Sequence, residues 1–168
     1  AHAWTDEVLD WRGTHYQFHG LTVRPKPRQL PHPPIYVTAH RQAENFKMIA
    51  RRGYHLMTLP WIAGNEAQRA FVNLYRDTLR EAGHAPEDGE VFVMYPAYVG
   101  DNDEQARSEA IEPWHRWRQF ALNELGIDPS KGKLYEERLE HFSYDKMVAD
   151  NRAVFGSPET CGGAEGAV

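Results

Sequence analysis

A basic segment that follows a short apolar run is the first place in the sequence with the chemistry of a binding site. Residues 35 to 39, IYVTA, have the character of a buried strand, and His40 and Arg41 come directly after them. A helix is predicted over residues 42 to 52, so its free backbone N–H groups lie beside the Arg41 guanidinium, an arrangement that favours an anion. The alternatives are a surface arginine next to a helix terminus and, for His40, a role in capping or solvation.

Aromatic residues form the second candidate group. Trp61 follows another apolar run, residues 55 to 59, and it either lines a site or belongs to the core or the rim of a barrel. Aromatic residues at helical spacing more often belong to a core than to a binding surface. Four others are candidates for an apolar substrate wall, a dimer surface or the core: Trp114, Trp117, Phe120 and Tyr144.

The nine histidines do not suggest a metal site, because they are scattered along the chain. His15 and His19 are four residues apart, but strand-like residues surround them and the glutamate of an HExxH motif is missing. We therefore expect no metal. Cys161 is the single cysteine, which excludes an intrachain disulfide, and it has no visible catalytic partner. No residue stands out as a catalytic base, nucleophile or acid.

Composition and charge are ordinary for a soluble globular protein. Hydrophobic residues make up 41% of the chain, charged residues 26%, and the net charge is -5. Acidic and basic residues are interspersed without a basic stripe, which argues against nucleic acid as a partner. The sequence shows no leader peptide, and its apolar runs fall short of the ~20 residues of a membrane span. These features predict a cytoplasmic protein without a membrane partner.

The order of strand and helix signals predicts an α/β fold with a parallel sheet. Aromatic and β-branched residues between 8 and 23 indicate short strands, and a proline-rich linker follows them. Strands are then predicted at residues 35 to 39, 55 to 59 and 90 to 100, and helices at 42 to 52, 65 to 82, 101 to 123 and 143 to 151. The third strand is apolar on both faces, which predicts that both are covered.

Residue types at the helix ends sharpen these predictions. Gly53 and Gly83 are placed to end the first two helices, and Asn65 is placed to cap the second. Pro113 predicts that the third helix breaks or restarts there, because proline has no backbone N–H to donate.

The end of the sequence is unusual. Ser157 and Pro158 signal the start of a helix, but three glycines follow, each of which opposes helix by about 1 kcal/mol relative to alanine. We expect an aborted or altered tail over residues 157 to 168, and a truncated chain.

Four motifs, in this order and spacing, resemble the bacterial-luciferase-like flavin monooxygenases. AWTDEVLDWRGTHYQFHGLTVRPKPRQLPHPPIYVTA is similar to the family's β insertion and its proline-rich approach to the fifth barrel strand. IARRGYHLMTLPWI resembles AARxG followed by an apolar strand. YVGDNDEQARSEA resembles the seventh strand and the acidic start of the next helix, and FGSPETC resembles the turn before the last helix.

The resemblance implies a partial TIM (β/α)8 barrel covering roughly strands five to seven, because a whole barrel needs ~250 residues. Residues 1 to 34 then form the β insertion and proline-rich linker, and residues 35 to 156 the βα units of a single incomplete domain. The first four strands and the eighth would lie outside this sequence, together with the remaining catalytic groups. We therefore expect this segment to be inactive in isolation.

The resemblance also implies a function. The family binds reduced FMN, or F420 in a sister branch, at the C-terminal face of the barrel. With FMN it uses O2 to oxygenate a small organic substrate, which we expect to be apolar, and a flavin reductase supplies the reduced flavin. Relatives are commonly homodimers. The expected flavin contacts are Thr38, Ala39, His40, Arg41, Pro60 and Trp61.

Three other functions remain open from the sequence. An F420-dependent oxidoreductase of the same superfamily would transfer hydride and would not use O2. A non-catalytic flavin-binding protein would bind the cofactor without oxygenating a substrate. A metal hydrolase on a barrel is the most distant of the three.

Overall fold

An antiparallel hairpin characterises the first of two structural units in the computed structural model, which describes residues 2–163. Helix α1 (His2–Thr5) precedes strands β1 (Leu9–Arg12) and β2 (Gln17–Leu21), and Trp11 pairs with Phe18 across the hairpin. The strands predicted between residues 8 and 23 are thus confirmed. This first unit ends at Tyr36, and the second begins at Val37.

The second unit alternates strands and helices. Its strands are β3 (Tyr36–Thr38, beginning at the boundary), β4 (His55–Thr58), β5 (Val91–Val93), β6 (Ala97–Val99) and β7 (Val154–Gly156). Its helices are α2 (Ala43–Arg51), α3 (Pro60–Ala63), α4 (Asn65–Glu81), α5 (Asp103–Glu124), α6 (Lys133–His141), α7 (Tyr144–Ala149) and α8 (Pro158–Gly162). Short 3-10 turns lie at Pro86–Asp88 and Pro129–Lys131. Within residues 2–163 no helix is both long enough and apolar enough to cross a membrane.

A three-stranded sheet in the order β3-β4-β5 carries the first hydrophobic core. Helix α2 buries Phe46, Ile49 and Ala50, the apolar positions whose helical spacing predicted it, and Leu56 of β4 packs into the same cluster. Gly53 ends α2 with a φ of 63°, a left-handed conformation that glycine adopts without steric cost. The predicted βα alternation and this helix end are confirmed.

The opposite face of this sheet is open to solvent in the chain. Met57 of β4 is 38% exposed, Phe92 of β5 51%, and Met94 just beyond β5 53%. The prediction that both faces of the third strand are covered is therefore wrong. An apolar side chain in a strand shows that a face can be buried, but not that this chain supplies the layer that buries it.

The predicted strand over residues 90 to 100 is in fact two strands in different sheets. β5 pairs in parallel with β4, whereas β6 pairs in parallel with β7, a strand that the sequence did not predict. Pro96 separates the two, since it has no N–H for a continuous ladder, and its carbonyl accepts from the Val154 N–H at 2.9 Å.

A second hydrophobic core lies around α5, and Pro113 does not break that helix. Trp114 and Leu122 of α5 pack with Phe142, Tyr144 and Met147. The helix runs from Asp103 to Glu124 with the proline inside it, so the predicted break is wrong. Proline removes one helical hydrogen bond and crowds the preceding turn, and burial of the apolar stripe in this core offsets that cost.

Helix α8 is a short helix that begins where the sequence signals it and ends at Gly162, so an aborted or altered tail stays a prediction. The Ser157 hydroxyl accepts from the Thr160 N–H at 3.2 Å. The Asp103 carboxylate holds this turn, because it accepts from the Ser157 N–H at 2.6 Å and from the Thr160 hydroxyl at 3.0 Å. Gly166 and the rest of residues 164–168 lie outside the described residues.

Asn65 does not cap α4, contrary to the prediction, but links it to the other core. Gly64 is the N-cap residue. The Asn65 side-chain amide instead donates to the Asn151 carbonyl at 2.9 Å and accepts from the Tyr95 hydroxyl at 2.9 Å. A polar side chain near a helix start can either cap the helix or bond to a distant segment, and Asn65 does the second.

Arg152 is the second link between the two cores, and it is 1% exposed. Its Nη1 donates to the Trp61 carbonyl at 3.2 Å and lies 2.9 Å from His141 Nε2, while Nη2 donates to the His141 carbonyl at 2.5 Å. Asp150 Oδ2 lies 3.3 Å from Nη2. One guanidinium thus fixes the segment after β4 against the ends of α6 and α7.

Replacement of Arg152 tests this role. Arg152→Met keeps much of the volume but leaves two carbonyls and the Asp150 carboxylate without their donor, so we expect a loss of about 3–5 kcal/mol in the free energy of unfolding. Urea denaturation followed by tryptophan fluorescence measures it.

Arg116→Met is the matched control. Arg116 is 73% exposed and its Nε lies 3.9 Å from Glu112 Oε1, so its loss should change stability by less than about 0.5 kcal/mol. Equal effects of the two substitutions would show that Arg152 is not a structural link.

Candidate functional site

Segments that follow three neighbouring strands supply two adjacent cavities. His40 and Arg41 come after β3, Trp61 comes after β4 at the start of α3, and Met94 and Tyr95 come after β5. Sites in α/β folds collect at such strand ends, because the loops there are free to carry functional side chains. The prediction that strand-end loops form the site is consistent with this arrangement.

Helix α5 forms the other wall of both cavities. One stripe at helical spacing borders the first cavity with Glu109, Ala110, Pro113, Trp114 and Trp117, and the same stripe borders the second with Trp117, Arg118, Ala121, Leu122 and Leu125. Trp61 and Trp117 border both cavities. Their rings lie 5.0 Å apart, centroid to centroid, in an edge-to-face arrangement.

The smaller cavity, of about 90 Å³, is basic, and we call it the basic cavity. Arg41 and Arg118 border it together with His40, and the described residues of its lining include no carboxylate. Burial lowers the pKa of His40, and the nearby Arg41 lowers it further, so the imidazole is held neutral. The positive charge of the cavity therefore comes from its two guanidinium groups.

Two N–H donors of the basic cavity's lining residues are buried without a partner in the described part of the chain. They are Trp61 Nε1 and Arg118 Nε. The Nη1 of Arg118 donates to the Leu139 carbonyl at 3.0 Å, which fixes the guanidinium in place. A buried donor without an acceptor lowers the free energy of unfolding by about 1–3 kcal/mol, so a ligand that accepts from these two donors would remove that cost. Donors and guanidinium groups combined make this cavity suited to an anionic oxygen group.

The larger cavity, of about 400 Å³, has aromatic walls, and we call it the aromatic cavity. Trp114 and Trp117 stack with centroids 4.9 Å apart, and Phe155 meets Trp114 edge-to-face at 5.8 Å. Tyr95 and Tyr98 add two phenol rings to its lining. Such walls bury an apolar ligand and bind the face or edge of a ring.

Glu109 is the one carboxylate among the described residues that line the aromatic cavity. The Tyr98 hydroxyl donates to its Oε2, and the Gln105 amide donates to its Oε1 at 3.0 Å. These hydrogen bonds, Tyr98's first, lower the pKa of Glu109, whereas the bond to Glu109 raises the pKa of Tyr98. The carboxylate is therefore charged and the phenol neutral near neutral pH.

The structure brings three of the six predicted flavin contacts together, namely His40, Arg41 and Trp61. The other three border neither cavity: Thr38 is an exposed strand residue, whereas Ala39 and Pro60 are buried. The Ala39 carbonyl accepts from the Thr58 hydroxyl at 2.8 Å, so its backbone is engaged inside the fold.

The predicted aromatic group divides between the core and the surface. Trp114 and Tyr144 are buried, whereas Trp117 and Phe120 are exposed, at 38% and 61%. The sequence did not single out Arg118, Tyr98 or Glu109 as site residues. The α5 stripe contained a signal for Arg118 and Glu109, since both fall in register with the tryptophans.

The model of the luciferase-like monooxygenase family matches residues 1–165. The FMNH2-dependent dimethylsulfone monooxygenase of Pseudomonas putida is 27% identical over 126 residues, which are 74% of this chain and 33% of that protein. The oxygenase component of the flavin-dependent trigonelline monooxygenase of Acinetobacter baylyi is 28% identical over 100 residues, 60% of this chain and 27% of that protein.

Solved structures show the same fold. A monooxygenase from Streptomyces bottropensis superimposes with a TM-score of 0.71 at 24% identity, over 97% of this chain and 45% of that one. The F420-dependent tetrahydromethanopterin reductase of Methanopyrus kandleri gives a TM-score of 0.67 at 13% identity, over 99% of this chain and 50% of that one. The chain thus spans at most half the length of each of these relatives.

Two half-buried histidines make stability depend on pH. Burial lowers the pKa of His141, and Arg152 and Arg138 lower it further; His40 shifts the same way. The unfolded chain therefore takes up protons below the ordinary histidine pKa of about 6.5 that the folded chain does not, so stability falls as the pH drops through that value.

His141→Gln tests this dependence, because the glutamine carbonyl can still accept from Arg152. The urea midpoint of the unmodified chain should fall between about pH 7.5 and pH 5.5, and that of the variant should fall less. His40→Gln combined with it should flatten the curve further. The exposed His115→Gln is the control and should keep the original slope. An unchanged slope in H141Q would contradict the assignment.

Proposed function

The chain belongs to the luciferase-like monooxygenase family, and we propose that it forms part of the flavin site of a monooxygenase that uses reduced FMN and O2 to oxygenate a small organic substrate. The basic cavity supports this proposal most directly, since it combines two guanidinium groups with two unpartnered donors. Those features suit the phosphate group of FMN, which is small, dianionic and rich in acceptors.

The residues of the basic cavity fit such a phosphate group. Arg41 and Arg118 would hold it by charge, and Trp61 Nε1 would donate to one of its oxygens. The neutral His40 is free to donate or accept one further hydrogen bond. Contacts of Thr38, Ala39 and Pro60 with the cofactor stay predictions.

The aromatic cavity is our candidate for the substrate site. It shares Trp61 and Trp117 with the basic cavity, so a molecule bound there lies next to the proposed cofactor site. A bound reduced flavin supplies the oxygen chemistry. The role of this chain would be to exclude water with the aromatic walls of the cavity and to fix the orientation of the substrate.

A separate reductase is the partner that we propose. The trigonelline enzyme of Acinetobacter baylyi is named an oxygenase component, and the Pseudomonas putida enzyme is named FMNH2-dependent. An enzyme of this kind receives its flavin already reduced. The present chain would then need an affinity for reduced FMN and a reductase in the same cell.

Coenzyme F420 is the alternative cofactor, since solved structures with this fold include F420-dependent enzymes. Hydride transfer would then replace oxygenation. A third possibility, flavin binding without catalysis, predicts that flavin binds but that no oxygen enters a product.

Anaerobic titration of the chain with reduced FMN and reduced riboflavin tests the proposal. The two differ in the phosphate group, so FMN should bind at least about tenfold more tightly. Arg41→Met and Arg118→Met should each weaken FMN binding by about tenfold and leave riboflavin binding unchanged. Arg116→Met, a matched change on the far side of α5 from the cavity stripe, should alter neither.

Equal affinities for FMN and riboflavin would refute the phosphate site. F420 in the same titration distinguishes the alternative cofactor, because only one of the two should bind tightly. The oxygenation itself is tested on the full-length enzyme, because this segment is expected to be inactive in isolation. 18O2 supplied with reduced FMN should label its product, and binding without label would support the non-catalytic alternative.

A further inference from the structure

We propose that the aromatic cavity selects organic cations, meaning substrates that carry a positive charge, such as a quaternary ammonium or a charged nitrogen ring, on an apolar body. This inference deepens the proposed function, on which it rests, by naming the substrate class. It depends on three observations: the density of aromatic rings, the single carboxylate and the absence of a basic residue from the described lining of this cavity.

Six aromatic residues border the aromatic cavity: Trp61, Tyr95, Tyr98, Trp114, Trp117 and Phe155. The face of an aromatic ring carries partial negative charge, so it attracts a cation that has little hydration to lose. Tryptophan does this best, and three of the six residues are tryptophan. Several such rings around one volume are the arrangement that binds quaternary ammonium groups.

Glu109 gives the cavity a formal negative charge that no protein cation neutralises. Its two hydrogen bonds come from a phenol and an amide, both of them neutral. None of the salt bridges found within residues 2–163 includes Glu109. A carboxylate held by neutral donors keeps its charge available for a ligand. Glu109 is exposed, so water screens its field, and it favours a cation in direct contact with it at the cavity wall.

The contrast with the basic cavity strengthens the inference. That cavity has two guanidinium groups and no carboxylate in its described lining, whereas the aromatic cavity has one carboxylate and no basic residue. The two cavities share Trp61 and Trp117, so cavities of opposite charge lie on either side of this pair of rings. A cationic substrate would be drawn to the aromatic cavity and repelled from the basic one.

Three ligands of nearly the same shape test the charge preference without flavin. Choline, 3,3-dimethylbutan-1-ol and 3,3-dimethylbutanoate carry a positive, no and a negative charge. Calorimetric titration of the chain should give an affinity for choline at least about tenfold higher than for the alcohol, and none measurable for the carboxylate. Indole N–H signals of the ¹⁵N-labelled chain locate the site: those of Trp61, Trp114 and Trp117 should shift, and those of Trp4 and Trp11 should not.

Variants separate charge from shape. Glu109→Gln removes the charge while its amide oxygen can still accept from Tyr98, and it should weaken choline binding about fivefold without changing that of the alcohol. Glu112→Gln, the same change on α5 outside the lining, is the control and should alter neither. Trp117→Leu, at an exposed position of α5, should weaken choline binding more than alcohol binding.

Equal binding of choline and the alcohol would overturn the inference, and so would a Glu109→Gln variant that loses affinity for both. The flavin titration is independent of these measurements. If FMN fails to show its phosphate preference while choline binds at the three tryptophans, the proposed function falls and the ligand class stands. If FMN binds as expected and choline does not, only the substrate class is wrong.

Discussion

The buried Arg152 guanidinium is the constraint on which the rest of the second unit depends. It donates to carbonyls on both sides of the fold, at Trp61 and at His141, and its charge is balanced by the partly exposed Asp150. A guanidinium this deeply buried is stable only while all these partners are in place. The position of Trp61, and therefore the wall between the two cavities, follows from that network.

The neutral state of His141 belongs to the same constraint. Its Nε2 lies 2.9 Å from the Arg152 Nη1, so it accepts a hydrogen bond that a protonated imidazole could not accept. Protonation would instead place two cations in contact inside the protein. The hydrogen bond from Arg152 to His141 therefore requires the neutral imidazole, and the same guanidinium group donates to the Trp61 carbonyl.

Much of the fold could be predicted from the sequence wherever one local signal decides. The stripe at Phe46, Ile49 and Ala50 fixed α2, and Gly53 fixed its end, because helical period and left-handed backbone are local properties. The failures have a tertiary cause. Asn65 prefers partners 86 residues away to its own helix, as shown by its bond to Asn151. β7 has 3 residues, too few for a strand pattern in the sequence, and it is defined by its pairing with β6.

The candidate site was predictable only along its strand ends. His40, Arg41 and Trp61 follow apolar runs, so a rule about strand ends finds them. Thr38 and Ala39 belong to the same segment, but strand geometry turns one toward solvent and the other into the core. The rule cannot separate them.

The site residues that α5 contributes can be predicted only if the alignment of α5 with the opposite wall of the two cavities is known. Positions 109, 113 and 117 fall on one stripe, and 118, 121 and 125 continue it. The stripe is readable from the sequence, but it looks like an interrupted core face, since a glutamate and an arginine stand among its apolar residues. In the structure Trp61 contacts Trp117 in the middle of this stripe, so Glu109 borders the aromatic cavity and Arg118 borders the basic cavity. The two cavities therefore differ in charge because one face of α5 borders both of them and the Trp61–Trp117 pair divides that face.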